Sequence, residues 1–158
     1  MVIRCFVDAD HADNRVTRIS RTGFIIFLNT DPIYWISKKQ NTCETSTFGS
    51  ELVDMKTATE YLRGLRYKLR MMRIPLSGAT YVYGDNISIL HTTTAPESAF
   101  KKKQNSIAYH LVREGVARGE WRVTCIKSVN DPANILTKLL TQPQRELLLK
   151  LVMYYIYD

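Results

Sequence analysis

The chain has 158 residues, 45% of them hydrophobic, which fits one compact domain with a real core and leaves no room for a second of usual size. Its 22 Lys and Arg against 15 Asp and Glu give a net charge of +7, so a polyanionic partner, nucleic acid foremost, is expected, with a basic solvated surface as the plain alternative. No stretch approaches the roughly 20 apolar residues that span a bilayer, MVIRCFVDAD lacks a signal-peptide layout, and Cys5, Cys43 and Cys125 form no CxxC pair, which argues against a membrane protein, a disulfide framework or a zinc knuckle and for a soluble intracellular one.

Val2 to Val7 is a β-branched and aromatic run ending at Asp8, and the polar HADNRVTRISR behind it reads as a loop, so a first strand delivers its carboxylate at its C-terminal end. Thr22 to Leu28 and Pro32 to Ser37, split by the turn-like NTD, predict two more strands in an antiparallel meander. Trp35 falls inside the apolar PIYWIS run and is expected to pack there.

From Phe48 to Met72 the period becomes helical, with Met55, Ala58, Leu62, Leu65 and Leu69 on one stripe. At about 100° per residue, Glu51 falls in the middle of that stripe and faces the sheet. Thr45, Ser46 or Thr47 caps this helix, and a purely local role for Glu51 at the cap and dipole is the competing reading.

Ile74-Pro75 and Ser77-Gly78 end the helix, Tyr81 to Tyr83 forms a fourth strand stopping at Gly84-Asp85-Asn86, and Ile87 to Thr92 continues as a short helix. Asn105 to Arg118 predicts a helix and Trp121 to Ile126 a last strand. DPANILTKLL predicts a further helix capped by Asp131 with Pro132 at its first position, and Gln144 to Tyr157 a leucine-rich terminal helix that packs on the domain.

Asp8, Glu51 and Asp85 are each tied to the end or edge of a buried element. Carboxylates are rarely buried unless a cation compensates them, so the three together point to a shared metal site. Open α/β sheets gather ligands outside the carboxyl ends of their strands, where Asp8 and Asp85 sit.

The strings FVDADHAD, SRTGFIIFL, PIYWISKKQNTCETSTFGSELV, YVYGDN, AYHLVREGV and PANILTK, in this order, resemble the ribonuclease H domain of Ty1/copia-type retrotransposon polyproteins, over roughly Ile3 to Leu140. The resemblance implies an α/β, ribonuclease H-like fold: a five-stranded mixed sheet, its first three strands antiparallel, flanked by helices. Residues 1–140 would form this domain and 141–158 its C-terminal helical extension. It implies two magnesium ions, or manganese, held by four acids that cut the RNA strand of an RNA/DNA hybrid. Asp8 would bridge both ions, while Glu51 and Asp85 complete one shell. Such hard ions take oxygen ligands and leave positions for water and a phosphate oxygen.

Two positions depart from the pattern. Asn134 stands where the family has an aspartate in a PAD segment; it is counted with Asp8, Glu51 and Asp85 as a catalytic and metal-binding position, but its amide brings no charge, so slower hydrolysis is expected. Asp131 is either a partial substitute or a helix cap. Gln104 stands where a histidine is common; His110 remains on the following helix and reads as structural, and His11 and His91 have no partner at ligand spacing.

For the substrate, Lys38, Lys39, Lys101, Lys102 and Lys103 are placed to meet phosphates, and Ser20, Thr22 and Asn86 to contact the minor groove or the 2′-OH that distinguishes RNA. Arg63, Arg66 and Arg70 flank the stripe of the long helix. The chain lacks a polymerase YxDD motif, so a reverse transcriptase domain would be supplied separately. Beside the hydrolase stand a catalytically weakened hybrid-binding or tethering module of the same fold, motivated by Asn134 and Gln104, and an unrelated basic α/β nucleic-acid binder.

Overall fold

Alternating apolar residues and tight turns bring the first three strands together: β1 (Ile3–Asp10), β2 (Arg21–Leu28) and β3 (Asp31–Lys39). A computed structural model describes residues 1–11, 19–41, 46–95 and 105–153. The β2–β3 turn passes through Asn29, whose φ of 57° is a left-handed conformation that asparagine tolerates better than most residues. Both pairs in this meander are antiparallel.

Helix α1 (Thr47–Met71) crosses the sheet, and of the three cap candidates Ser46 does the work, its Oγ accepting from the Gly49 amide at 3.2 Å. Strand β4 (Thr80–Gly84) joins parallel to β1 and β5 (Trp121–Cys125) parallel to β4, in the order β3-β2-β1-β4-β5. Helices α2 (Ile87–Thr94) and α3 (Ser106–Ala117) lie between them in sequence. A 3₁₀ turn (Ser128–Asn130), the one-turn helix α4 (Asn134–Thr137) and α5 (Gln142–Val152) close the chain. No helix among the described residues is long and apolar enough to cross a membrane.

The main core forms where the α1 stripe of Leu52, Met55, Ala58, Leu62 and Leu69 meets Cys5, Val7, Phe24, Ile26 and Val82. Cross-strand partners share a face, so Asp8, opposite Gly23, points to the other side of the sheet from Val7 and Phe24. On that side, among the described residues, the one-turn helix α4 packs against β1, β2 and β3. At the far edge of the core the Trp121 indole is fully buried and donates to the Val112 carbonyl at 2.9 Å. Gly115 permits this, since a Cβ there would lie 1.9 Å from the ring.

Two expectations are corrected, and a third is narrowed. Trp35 does not pack inside its strand but is 61% exposed, because β3 is the sheet edge and Trp35, opposite Ile25, faces away from α1. Tyr34, on the other face, stacks on Tyr61 of α1 instead. The DPANILTKLL helix shrinks to Asn134–Thr137, since Lys138 is extended with φ −117° and ψ 150°. Of the leucines of α5, Leu148 is buried while Leu147 and Leu151 are exposed, so that helix packs on one narrow line. Cys43, Thr45 and residues 154–158 of the expected terminal helix lie outside the described residues.

Candidate active site

Two parallel strands, β1 and β4, end side by side, and α1 begins above them. Asp8 comes from β1, Asp85 directly follows β4, and Glu51 projects from the first turns of α1. With Val7, Ala9, Met55, Gly84, Asn86 and Ile89 they line a single recess. Three residues far apart in sequence are thereby brought together by the strand order.

Asp8 is 2% exposed. Both of its oxygens are taken: the Thr137 hydroxyl donates to Oδ2, and the Lys138 ammonium to Oδ1 at 2.8 Å. That ammonium also donates to Asn134 Oδ1 at 2.8 Å and lies 3.9 Å from Asp85 Oδ2. Asn134 is oriented by its amide nitrogen, which donates to the carbonyl and hydroxyl oxygens of Ser128. Its oxygen is thereby left to accept from the same Lys138 ammonium that holds Asp8.

The shortness of α4 has its reason here. Neighbouring helical residues point about 100° apart, so Thr137 and Lys138 would diverge in a continuous helix. Leaving the helix at Lys138 lets both reach Asp8. Gly23, opposite Asp8, admits this segment: a Cβ there would stand 2.4 Å from Thr137 Cγ2.

Crowded acids distort each other's protonation. Burial first, then the charges of Asp85 and Asp8, push the Glu51 carboxyl up to about 7, against a hydrogen bond with Asn86 and the Lys138 charge. Asp131 is fully buried, and burial followed by Asp8 and Asp85 pushes it up to about 8, against the Ala133 amide and Lys138. Its Oδ1 accepts from the Ala133 amide at 2.9 Å, so it braces the turn before α4 rather than capping a long helix. Lys138 loses to burial but gains more from its Asp8 hydrogen bond and the charges of Asp8, Asp85 and Asp131, and its net shift is upward.

The donor set of Asp8, Glu51, Asp85 and the Asn134 oxygen is all oxygen, which suits magnesium or manganese rather than zinc. A cation already stands among these oxygens in the form of the Lys138 ammonium. As the side chains lie, no group of three or more His, Cys, Asp or Glu among the described residues is disposed around one point to hold an ion. The oxygens fit a hard cation; Lys138 stands in its place.

The residues expected to touch substrate divide. Lys38 and Lys39 are exposed on β3, and Lys38 pairs with Thr22, which pairs with Ala9. At roughly 4.8 Å per strand, Lys38 stands about 10 Å from the Asp8 end of β1, on the same rim. Ser20 is buried with its hydroxyl 3.4 Å from His11 Nδ1. Thr22 is buried and donates to Asp54. Asn86 caps α2 by accepting from the Ser88 amide at 2.9 Å and hydrogen-bonds Glu51. Lys101, Lys102, Lys103 and Gln104 lie outside the described residues. Arg63 bonds Glu120 at 2.9 Å and lies over Trp121, while Arg66 bonds Gly78 and Thr80, so these two brace α1.

Sequence reasoning missed Thr137 and Lys138, although both lie in the PANILTK string, because nothing local marks a threonine and a lysine as partners of a residue 129 and 130 positions away. It also missed Asp54, whose Oδ1 accepts from Thr22 and, at 2.7 Å, from Gln40 Nε2.

No protein-family model matches the chain. The retrovirus-related Pol polyprotein from transposon RE2 of Arabidopsis thaliana is 28% identical over 140 residues, 89% of this chain and 10% of its own length. That from transposon TNT 1-94 of Nicotiana tabacum is 28% identical over 153 residues, 96% of this chain and 11% of its own length. The chain thus spans about a tenth of the length of these relatives. Among solved structures, RNase H1 from the halophilic archaeon Halobacterium salinarum superimposes with a TM-score of 0.65 at 11% identity, covering 87% of this chain and 95% of that one. LC11-RNase H1, isolated from compost by a metagenomic approach, gives 0.63 at 17%, covering 86% and 92%. In complex with an RNA/DNA hybrid, it gives 0.61 at 12%, covering 85% and 93%. The homologues are Pol polyproteins of plant copia-type transposons, and the fold is ribonuclease H-like, with the five-stranded mixed sheet that the resemblance implied.

Proposed function

We propose that this chain is a ribonuclease H domain of a copia-type retroelement polyprotein, a hydrolase that cuts the RNA strand of an RNA/DNA hybrid with magnesium or manganese. The observation that carries the reading is the convergence of Asp8, Glu51 and Asp85 in one recess at the carboxyl ends of β1 and β4. Residues 1–140 hold the site and 141–158 extend the same domain. The neighbour solved with an RNA/DNA hybrid and the Pol polyprotein relatives support hybrid as substrate and a reverse transcriptase domain as partner, within the cell that carries the element.

In this mechanism Asp8, Glu51, Asp85 and the Asn134 oxygen would hold the divalent cations, which when bound would supply activation of water and stabilisation of the leaving 3′ oxygen. Thr137 fixes Asp8 through Oδ2 and thereby aims its other oxygen. Lys38 and Lys39 meet the phosphates that approach along the rim; Lys101 to Lys103 are assigned to phosphate contact on their sequence alone. Asn86, at the mouth of the recess, is the residue best placed to read a 2′-OH; Ser20 and Thr22 shape the strand end beneath it. A weakened, hybrid-binding module is the second reading, favoured by the neutral Asn134 and by the ammonium on Asp8.

Cleavage of a labelled RNA/DNA hybrid in magnesium and then manganese tests the proposal. RNA-strand cleavage abolished by Asp8→Asn is expected. Binding to hybrid without Asp8-dependent cleavage would favour the second reading.

A further inference from the structure

We infer that Lys138 is a built-in counter-cation for Asp8, so that a divalent ion enters this centre by exchange with the ammonium and binds more weakly than the carboxylates alone would allow. The inference rests on the proposed metal centre and concerns what competes for it.

The ammonium is 2.8 Å from Asp8 Oδ1, 2.8 Å from Asn134 Oδ1 and 3.9 Å from Asp85 Oδ2. These are three of the four oxygen-bearing side chains expected to hold the ion. Each Asp8 oxygen keeps a second lone pair, but the ammonium sits between Asp8, Asn134 and Asp85, so a divalent ion bound by those oxygens would take its space and be repelled by its charge. Thr137 is buried, with a short stem held by α4 packing over Gly23, and it stays. The Lys138 side chain is 32% exposed against 1% for Asp8, and its flexible four-carbon stem gives it a path to solvent. Lys138 is the group that leaves.

Asn134 makes this competition sharper. An aspartate at that position would share the ammonium and loosen its hold on Asp8; the asparagine accepts from the ammonium only as an uncharged oxygen. In ionised form Asp8, Glu51 and Asp85 bring −3 and Lys138 brings +1, a net −2. Four acids without the lysine contact would bring −4. Both differences act in one direction, towards a lower divalent affinity.

The test is Mn²⁺ binding to the full chain by calorimetry and by the loss of its free-ion electron paramagnetic resonance signal. The variants are wild type, Lys138→Met, Lys138→Arg and Asp8→Asn. Lys138→Met is expected to bind Mn²⁺ about tenfold more tightly, the equivalent of one partly buried ion pair, and Lys138→Arg to stay near wild type. Without metal, Lys138→Met should melt lower than wild type, and saturating Mn²⁺ should raise its Tm more. Lys138→Gln serves the same comparison if the methionine variant does not fold. Unchanged or weaker Mn²⁺ binding in Lys138→Met or Lys138→Gln, with wild-type binding still dependent on Asp8, overturns this inference alone. Absence of Asp8-dependent binding in every variant overturns it together with the metal centre.

Discussion

Glu51 and Asp54 lie about one turn apart on α1, and each belongs to a cluster built around a buried carboxylate, Asp8 in one and Asp54 itself in the other, yet the two clusters are built on opposite principles. Asp54 is answered by neutral donors, the Thr22 hydroxyl and the Gln40 amide, and Gln40 also donates to the Ser50 carbonyl at 2.9 Å. That arrangement clamps the end of β3 and the start of β2 to α1 through Oδ1, while Oδ2 is buried without a hydrogen-bond partner among the described residues. Asp8, Glu51 and Asp85 line one recess, and among the described residues the cation that reaches them is Lys138, on a long, partly exposed side chain. A buried carboxylate held by fixed neutral donors reads as structural, whereas carboxylates crowded together around a replaceable cation read as a binding site.

Substitution should separate the two clusters. Asp8→Asn is expected to lower hybrid cleavage by at least about 10³-fold, measured on the RNA strand, while leaving a folded protein by circular dichroism. Comparable activity in this variant would remove Asp8 from the chemistry. Asp54→Ala should do the reverse: stranding two buried donors costs about 3 kcal/mol of stability at about 1–3 kcal/mol each, read by urea unfolding, with cleavage per folded molecule retained. If Asp54→Ala loses activity beyond its loss of folded protein, the neutral cluster is not merely a clamp.

Gly23→Ala tests the seam between sheet and α4. Its new Cβ would meet Thr137 and Leu136, so a loss of about 1 to 2 kcal/mol from overpacking is expected, accompanied by weaker Mn²⁺ retention as Thr137 shifts from Asp8. Full stability and unaltered metal binding would show that the segment adapts freely.

The smallest effect is a pH trend. Glu51 is raised from its ordinary 4.5 to about 7 and Asp131 from 3.8 to about 8, chiefly by burial, and Asp54 is shifted upward for the same first reason. The folded state thus keeps protons that the unfolded chain has released, so metal-free stability should fall as pH rises from about 4 to about 8 and level off beyond. Added Mg²⁺ should reduce only the part due to the recess, leaving the Asp54 part. Denaturant midpoints across this range, with and without Mg²⁺, measure both; a flat metal-free profile would contradict the burial of these acids.

Much of this was legible in the chain. Apolar runs ending in an acid located β1 and β4, the 3.6-residue stripe located α1 and put Glu51 on its sheet side, and Ser46 was among the predicted caps, since each of these signals is local and periodic. The motif order was enough to reveal the ribonuclease H-like architecture. Strand rank was not local: PIYWIS reads as a core strand, yet it became the edge and left Trp35 exposed, because period and composition do not reveal which strands acquire neighbours on both sides. Nor could pattern reveal that Lys138 ends α4 and turns back to Asp8. The sequence by itself determined the elements and the three carboxylates they carry; the tertiary structure alone decided which cation answers them, because that pairing joins residues 130 positions apart through the packing of one short helix over Gly23.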